Sequence, residues 1–247
     1  MRLAPMIDIH CHILPGVDDG SPSWEITAEM CRMAAEDGVR HIVATPHANE
    51  RFFYDRSRYE GMLRKLKNVG CGIKFSLGCD FHFSFDNIEA AVLHPRRYTI
   101  GDSQYLLVEF SDFGSMPAIK EGLFRLTSSG IKPIITHPER NLALLEMPER
   151  VVELAKDGCV IQVTASSLTG YWGPQSQRMA ELLLKKNVIH VIASDAHDPV
   201  KRPPLLSHAF DRVRRLAGQD VAHALFVDNP SAIGATANTP RDPASSA

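Results

Sequence analysis

The sequence contains few cysteines, and their spacing excludes two common kinds of site. The five cysteines are odd in number and widely separated, and no two of them form a C-x-x-C pair. A disulfide framework is therefore not expected, and neither is a structural zinc cluster of thiolates. Unpaired thiols are typical of a reducing cytosol, so we predict a cytoplasmic protein.

A charge excess, a leader and a long apolar run are also missing from the sequence. Lysine and arginine number 27 and acidic residues 29, a formal net charge of −2, which indicates no surface for nucleic acid. The start of the chain predicts no signal peptide, and the apolar runs fall far short of the roughly 20 residues of a membrane helix. We therefore predict no membrane insertion. Hydrophobic residues nonetheless make up 44% of the 247 residues, enough for a large buried core.

Seven apolar segments of strand length alternate with helical segments along the chain. The predicted strands are Met6–His12, His41–Thr45, Ile73–Gly78, Tyr105–Phe110, Pro133–Thr136, Val160–Thr164 and Val188–Ala193. This alternation predicts a parallel α/β architecture, and strands that are apolar on both faces are typical of such buried sheets. We predict a single domain over residues 1–234. Residues 235–247 are rich in Ala, Ser, Thr and Pro and are predicted to be disordered.

Six of the seven predicted strands end in side chains of the types that bind metals. His10 and His12 are two residues apart on the first strand, so their imidazoles point to the same side. The others are His47, Asp80, Glu109, His137, Asp195 and His197. Taken alone, each is explained as well or better as a helix cap, a salt-bridge partner or a buried polar group. Their recurrence favours a barrel, because the carboxyl ends of barrel strands meet at one mouth, whereas an open sheet would spread them along an edge.

So many nitrogen and oxygen ligands suit two or three metal ions rather than one. Imidazole together with carboxylate fits Mn, Zn or Fe, and paired metals recur in enzymes that hydrolyse phosphate esters. Arg140 and Arg202 follow His137 and His197 closely enough to lie on the same predicted face. A guanidinium matches phosphate oxygens in bidentate fashion. The alternative is that both are ordinary surface arginines.

Several short motifs occur in a fixed order between Met6 and Asn229. They are Asp8–His12, Val17–Gly20, Thr45–His47, Val108–Phe110, His137–Arg140 and Ile192–His197. Together they resemble the motifs of the PHP (polymerase and histidinol phosphatase) superfamily. More narrowly, the chain resembles the bacterial protein-tyrosine phosphatases of that superfamily, which act in capsular and exopolysaccharide synthesis.

The resemblance implies a distorted seven-stranded (β/α) barrel of PHP type with a centre of three metal ions, often manganese. Carried over residue by residue, one ion would be held by His10, His12, Asp80 and Asp195, the second by Asp80, Glu109 and His137, and the third by Asp19, His47 and His197. The family usually has glutamate where this chain has Asp80, which is one methylene shorter. The resemblance also implies that Arg140 and Arg202 contact the substrate phosphate and act in catalysis.

The substrate implied by the resemblance is phosphotyrosine in the tail of a bacterial tyrosine kinase that drives polysaccharide polymerisation. We assign Phe53 and Tyr54 to substrate binding. They belong to a set of aromatic loop residues that either form a phenyl pocket or pack against the barrel, namely Phe52, Phe53, Tyr54, Tyr171 and Trp172. No cysteine is followed six positions later by arginine, which excludes a Cys-x5-Arg phosphatase loop. Attack on phosphorus by a metal-activated hydroxide is therefore expected.

Three other functions remain open at this point. A small-molecule phosphatase, such as one for histidinol phosphate, would use the same metal centre. A metal-dependent deaminase or amidase also begins with His-x-His on a barrel strand, but it usually needs eight strands and a longer chain. The last alternative is a non-catalytic metal-binding PHP domain. Degenerate domains of that kind lose ligands, whereas all nine positions here keep a competent side chain.

Overall fold

The strands of the protein all run parallel to their hydrogen-bonded neighbours. A computed structural model describes residues 5–69, 71–112 and 114–234, and the predicted disordered tail, 235–247, lies outside the described residues. The strands are β1 Met6–Cys11, β2 Val39–Ala44, β3 His47–Ala48, β4 Lys74–Leu77, β5 Asp80–His82, β6 Tyr105–Glu109, β7 Lys132–Thr136, β8 Val160–Thr164 and β9 Val191–Ala193. The predicted parallel α/β class is thereby confirmed.

The described strands form two sheets, and the closed seven-stranded barrel that we predicted is not detected among them. The order is β1-β2-β4 in the first sheet and β3-β5-β6-β7-β8-β9 in the second. The division falls where two predicted strands bend. Thr45 and Pro46 separate β2 from β3, and Gly78 and Cys79 separate β4 from β5. Proline has no N–H to offer to a ladder, so the pairing stops there and resumes in the second sheet.

The bend at Gly78 requires a residue without a side chain. A Cβ atom at Gly78 would lie only 3.0 Å from a side-chain carbon of Ile100 and 3.1 Å from one of Val43. Beyond the bend, His47 of β3 pairs with Asp80 of β5 in register. The interruption of both strands therefore places these two ligand-type side chains next to each other.

The outer strands of the two sheets meet through a few backbone hydrogen bonds. The Asp195 N–H donates to the carbonyl of His10, and the His12 N–H donates to the carbonyl of Ala196, each over 2.8 Å. Cys11 and Ala196 form an isolated parallel bridge. The segment that follows β9 is thus held against the carboxyl end of β1.

Helices cover the strands on the outside. They are α1 Trp24–Glu36, α2 Arg56–Leu66, α3 Phe85–Leu93, α4 Met116–Ser128, α5 Leu142–Leu145, α6 Pro148–Lys156, α7 Ala165–Leu168, α8 Gly173–Lys185, α9 Ser207–Ala217, α10 Gln219–His223 and α11 Asn229–Gly234. A single π-helical segment, Ala224–Asp228, joins α10 to α11. Within the described residues, no helix combines the length and the apolar composition that crossing a membrane requires.

Buried residues of the strands divide into two hydrophobic clusters. The larger cluster includes Ile42, Leu106 and Ile135 together with the buried faces of the helices. The smaller cluster consists almost entirely of strand residues and includes Ile9, Val43, Leu107, Ile134 and Val191. Neighbouring residues of one strand fall in different clusters, as alternation along a strand requires. The smaller cluster contains residues from strands of both sheets. The polar site lies at the carboxyl ends of these strands.

Candidate metal centre

The structure brings all nine predicted ligands together at the carboxyl ends of the strands. Their ligand atoms fall into four overlapping groups, each with all its atoms within 4.8 Å of one another. The groups are His10, His12 and Asp195; His10, Asp80 and His137; His47, Asp80 and Glu109; and His12, Asp19, His47 and His197. Asp80 belongs to two groups, as do His10, His12 and His47. Asp80 is the one carboxylate of these four, and its two oxygens could serve two ions.

The histidine pair of β1 forms the deepest part of the site. The Nε2 atoms of His10 and His12 lie 3.2 Å apart. Asp195 Oδ1 lies 3.3 Å from His10 Nε2 and 3.5 Å from His12 Nε2. All three side chains are buried. Two imidazole nitrogens and a carboxylate oxygen that converge in this way are a donor set for a divalent transition metal.

Asp80 has the unsatisfied atoms that a cation site requires. The side chain is buried, and neither carboxylate oxygen has a well-aligned hydrogen-bond partner among the described residues. His47 Nδ1 lies 3.1 Å from Oδ2 without such an alignment, and it too is without a partner. Buried carboxylates are normally paired or bound to metals. These atoms therefore fit a bound cation.

The remaining ligands lie nearer the surface. Asp19 Oδ1 is 3.4 Å from His47 Nε2 and 3.6 Å from His197 Nε2. Glu109 Oε1 is 3.6 Å from His137 Nε2. Asp19 is 49% exposed at its side chain, whereas Glu109 is 26% exposed. The cluster thus runs from a closed interior to an open mouth where a substrate can reach it.

Three histidines are oriented by partners on their Nδ1 atoms, two of which the sequence analysis missed. Asp18 Oδ2 lies 2.8 Å from His12 Nδ1, and Gln162 Oε1 lies 3.0 Å from His10 Nδ1. The main-chain carbonyl of Asp195 lies 3.1 Å from the Nδ1 atom of His197. Each of these oxygens accepts a hydrogen bond from Nδ1, so Nδ1 carries the proton and Nε2 is left free to bind a metal.

Signals for the two missed residues exist in the sequence. Asp18 stands beside the predicted ligand Asp19 in the Val17–Gly20 motif. Gln162 is a polar residue in the middle of an otherwise apolar strand, and it is fully buried. A buried polar side chain in such a strand needs a partner.

The carboxylates of the site hold protons on two of its histidines. Burial opposes protonation of His10, but the charges of Asp195 and Asp80 outweigh it and raise the pKa of His10 to about 9. Burial is likewise outweighed at His47, whose pKa is raised to about 11 by Asp19 and Asp80. Burial also opposes ionisation of Asp80 and Asp195, yet the neighbouring histidines hold the pKa of both carboxyls well below the usual range. A cation at these atoms would displace the protons, so metal binding is coupled to pH.

Two of the predicted ligands have a backbone conformation that non-glycine residues rarely adopt. His137 has a φ of 33° and Asp195 a φ of 54°. Such left-handed conformations cost about 1–3 kcal/mol and cluster at functional sites. Burial and the charge of Arg140 lower the pKa of His137 to about 3, so the ring of His137 is neutral and able to act as a ligand.

The two predicted arginines are brought to the site and meet at one atom. Arg140 Nη1 and Arg202 Nη2 both donate to Asp195 Oδ2, the latter over 2.5 Å. The indole ring of Trp172 lies beneath them, with its centroid 3.9 Å from Cζ of Arg140 and 5.5 Å from Cζ of Arg202. Ser166 Oγ accepts a hydrogen bond from the indole N–H. Two guanidiniums are therefore held side by side next to the metal ligands.

A cavity of about 890 Å³ opens beside this cluster. Glu109, His137, Arg140 and Trp172 line its inner end. His82, which the sequence analysis read as an ordinary histidine, also lines it, and its Nδ1 atom lies 3.9 Å from Glu109 Oε2. His82 lies at the cavity because β5, a strand that we did not predict, sets it opposite Glu109.

The two aromatic residues assigned to substrate binding do not line this cavity. Tyr54 is 2% exposed, and its hydroxyl donates to the carbonyl of Gly78, so it belongs to the core. Phe53 is 78% exposed and lies beside Arg97. The structure therefore does not bring Phe53 and Tyr54 to this cavity, because loop aromatics are placed by packing that the sequence pattern does not encode. Trp172, by contrast, is on its wall.

Fold and site together define the class of this protein. Parallel strands that end in clustered imidazoles and carboxylates are those of an α/β metal-site protein with room for more than one ion. Within that class, the chain belongs to the capsular polysaccharide synthesis family CpsB/CapC, whose pattern matches residues 6–234.

Comparisons with individual relatives support the same family membership. The tyrosine-protein phosphatase CpsB of Streptococcus pneumoniae is 34% identical over 239 residues, which cover 92% of this chain and 98% of that protein. A crystal structure of YwqE from Bacillus subtilis and CpsB from S. pneumoniae, described as unique metal-dependent tyrosine phosphatases, superposes with a TM-score of 0.84 at 30% identity. It covers 94% of this chain and 95% of its own. The lactonase Lmo2620 of Listeria monocytogenes superposes with a TM-score of 0.64 at 14% identity, covering 95% of this chain and 96% of that one, which is a likeness of fold alone.

Proposed function

We propose that this protein is a metal-dependent protein-tyrosine phosphatase. The observation that carries the proposal is the convergence of nine imidazole and carboxylate side chains beside two arginines at one open mouth. The relatives named as tyrosine-protein phosphatases, with which the chain shares a third of its residues over nearly its whole length, support the same reaction.

The ligand assignment is the one that the family resemblance implies. It is supported by the group of His10, His12 and Asp195 and by the grouping of Asp19, His47 and His197. We assign His10, His12, Asp80 and Asp195 to one ion, Asp80, Glu109 and His137 to a second, and Asp19, His47 and His197 to a third, with manganese as the metal. The chemistry that such ions supply is Lewis acidity and activation of water. Asp18 and Gln162 keep the Nε2 atoms of His12 and His10 free for this purpose.

The arginines bind and neutralise the phosphate. Arg140 and Arg202 donate to one oxygen of Asp195, and a phosphate oxygen at the cavity mouth would be an acceptor of the same kind. By donating to the phosphoryl oxygens, the two guanidiniums would orient the ester and stabilise charge in the transition state. Trp172 holds them in position through its ring face.

The same proposal extends to architecture, substrate and location. We propose that residues 1–234 form one domain in which the two sheets make a distorted seven-stranded barrel, supported by the backbone bonds between β1 and the segment after β9. The substrate would be the phosphotyrosine tail of a bacterial tyrosine kinase that controls polysaccharide synthesis. The five free cysteines support a reducing, cytoplasmic location.

A substrate panel tests the function. Manganese-loaded protein is assayed on p-nitrophenyl phosphate, a phosphotyrosine peptide and histidinol phosphate, with and without excess chelator. We expect turnover of the first two substrates, its loss in chelator and its return with manganese. Asp80→Ala should abolish turnover, whereas Asp211→Asn, an exposed carboxylate on α9, should leave it unchanged. Full activity in chelator, or higher efficiency on histidinol phosphate, would contradict the proposal.

A further inference from the structure

The cavity beside the metal centre extends far beyond the candidate ligands. Its outer end is lined by residues of α5 and of the first turns of α8. A second cavity of about 450 Å³ continues from there. The two cavities share four lining residues, Leu142, Leu145, Gln175 and Arg178. We call the continuous depression over these four residues the α5–α8 groove.

The groove is larger than the reaction itself requires. Sites for whole drug-sized ligands occupy about 300–1,000 Å³, and the first cavity alone has about 890 Å³. A phosphate ester bound at Arg140 would fill only the end next to His137. The rest of the space is suited to a polypeptide that continues from the phosphorylated side chain.

The walls of the groove combine apolar side chains with polar and charged ones. Leu142 is 59% exposed, and Met179 and Leu182 line the second cavity. Arg178 is exposed, lines both cavities and makes no ion pair among the described residues. Glu181, three residues after Arg178 on α8, forms an ion pair with Arg212.

Two acidic residues other than the candidate ligands, Asp112 and Glu146, line the cavities. Neither forms an ion pair with Arg178 among the described residues. Asp112 lines the first cavity, where its Oδ1 accepts the N–H of Leu142 at the start of α5. Glu146 lines only the second cavity. Among the described residues, Arg178 is the one arginine or lysine besides Arg140 that lines either cavity.

We propose that the α5–α8 groove binds the polypeptide next to phosphotyrosine and that Arg178 selects an acidic side chain there. The proposal rests on the phosphatase function proposed above and adds the substrate's sequence preference. It commits to a peptide because the groove is continuous with the candidate active site and because Arg178, the one arginine or lysine of the groove, makes no ion pair among the described residues.

Two matched series of peptides test the proposal. In each peptide a single glutamate or lysine occupies one of three positions on either side of phosphotyrosine. Manganese-loaded full-length protein is assayed for kcat/KM, and dissociation constants are measured by fluorescence anisotropy with peptides that carry a non-hydrolysable phosphonate. We expect the best glutamate peptide to bind about threefold more tightly than its lysine counterpart, the scale of an exposed ion pair.

Charge reversal supplies the decisive comparison. Arg178→Glu should invert the preference, so that the lysine peptide binds more tightly, while turnover of p-nitrophenyl phosphate stays within twofold of the unmodified protein. Arg64→Glu, at an exposed position of α2 outside both cavities, should leave the preference unchanged. Equal dissociation constants for both series, or the same preference in Arg178→Glu, would overturn the groove proposal. Absence of p-nitrophenyl phosphate turnover would instead contradict the phosphatase function, because the anisotropy measurement does not depend on turnover.

Discussion

The candidate ligands differ from ordinary buried polar residues in which of their atoms has a partner. In His10 and His12 the Nδ1–H donates a hydrogen bond to a neighbouring oxygen, while the two Nε2 atoms face each other at 3.2 Å. Two nitrogen lone pairs at that distance repel unless a proton or a cation lies between them. The orientation of these rings is therefore favourable mainly when an ion is shared.

Asp18 is expected to control metal affinity without binding the metal. Its Oδ2 accepts a hydrogen bond from Nδ1 of His12 and another from the N–H of His47 over 3.1 Å. We expect Asp18→Asn to weaken manganese binding about 10- to 100-fold, because the ring loses a charged partner that orients it and raises its basicity. Competition with a fluorescent chelator measures the affinity, with Asp211→Asn as control. Unchanged affinity in Asp18→Asn would refute this role.

Trp172 is expected to position the two arginines through the face of its ring. A cation–π contact is worth about 1–2 kcal/mol when it is shielded from water, so we expect Trp172→Ala to lower kcat/KM for p-nitrophenyl phosphate about tenfold. Trp172→Phe keeps an aromatic face and should recover most of the activity. Trp24→Ala, on α1, serves as control. If the phenylalanine variant is as impaired as the alanine variant, the ring face is not the cause.

At this scale the sequence predicts residues whose role follows from their position on a strand. His10 and Glu109 stand at the ends of apolar strands, so their direction can be inferred from the strand period. The strand period does not identify Gln162 as the partner of His10, because the two residues are 152 positions apart in the sequence. The same reason explains why the burial of Tyr54 was not predicted. Its hydroxyl donates a hydrogen bond to a main-chain carbonyl 24 positions away.

Among the elements, the contact between β1 and the segment after β9 has the most direct bearing on the site. Asp8 Oδ1 accepts the N–H of Ser194 over 2.9 Å, and Oδ2 accepts its hydroxyl over 2.5 Å. The next residue is Asp195, in its left-handed conformation. Asp8 thus holds in place the turn that carries a candidate ligand.

Removing the carboxylate of Asp8 should therefore loosen both fold and site. Asp8→Ala leaves a buried N–H and a buried hydroxyl of Ser194 without this acceptor, and each such group costs about 1–3 kcal/mol. We expect a loss of about 2–4 kcal/mol in the free energy of unfolding, measured by urea denaturation, together with weaker manganese binding. Asp8→Asn keeps one acceptor and removes a buried charge, so its loss should be smaller. Equal losses in the two variants would contradict this account.

His41 on β2 is expected to make the stability depend on pH. Burial, and to a lesser degree the charge of Lys74, lower its pKa to about 4 in the folded state, while the unfolded value is about 6.5. The unfolded chain therefore binds the proton first, and stability is lost as pH falls from about 6.5 to 4.

A neutral replacement of His41 isolates this contribution. The shift corresponds to at most about 3 kcal/mol. In His41→Gln the loss of unfolding free energy between pH 7 and pH 4.5 should be smaller than in the unmodified protein by about 2–3 kcal/mol, as measured by urea denaturation at each pH. His208→Gln, on the outer helix α9, is the control. Parallel pH curves for His41→Gln and the unmodified protein would refute the assignment.

The sequence predicts those elements in which a regular apolar pattern extends over several residues. β8 has the bounds that we predicted, Val160–Thr164, because it is a short segment made mostly of β-branched residues. The short strands β3 and β5 and the four-residue helices α5 and α7 were not predicted. Two to four residues carry no period, and these elements exist because the neighbouring chain offers hydrogen bonds to them.

For the molecule as a whole, the sequence predicts which ends of the strands meet but not how the sheet is divided. The interruption between β2 and β3 at Pro46, and between β4 and β5 at Gly78, depends on tertiary packing around two small or rigid residues. The convergence of the strand ends survives that division, because the pairing resumes at His47 and Asp80. Side chains from the first strand and the last thereby share one site.

Because the site joins distant parts of the chain, metal should stabilise the entire fold. A ligand at 100 times its dissociation constant adds about 2.7 kcal/mol to the free energy of unfolding, and 1 kcal/mol raises the Tm of a protein of this size by about 2–4 °C. We expect manganese at that concentration to raise the Tm by about 5–10 °C relative to chelator-treated protein, as measured by calorimetry. Asp80→Ala should remove most of this rise, because Asp80 belongs to two of the four ligand groups, whereas Asp211→Asn should keep it. The same rise in Asp80→Ala as in the unmodified protein would show that the ions bind elsewhere.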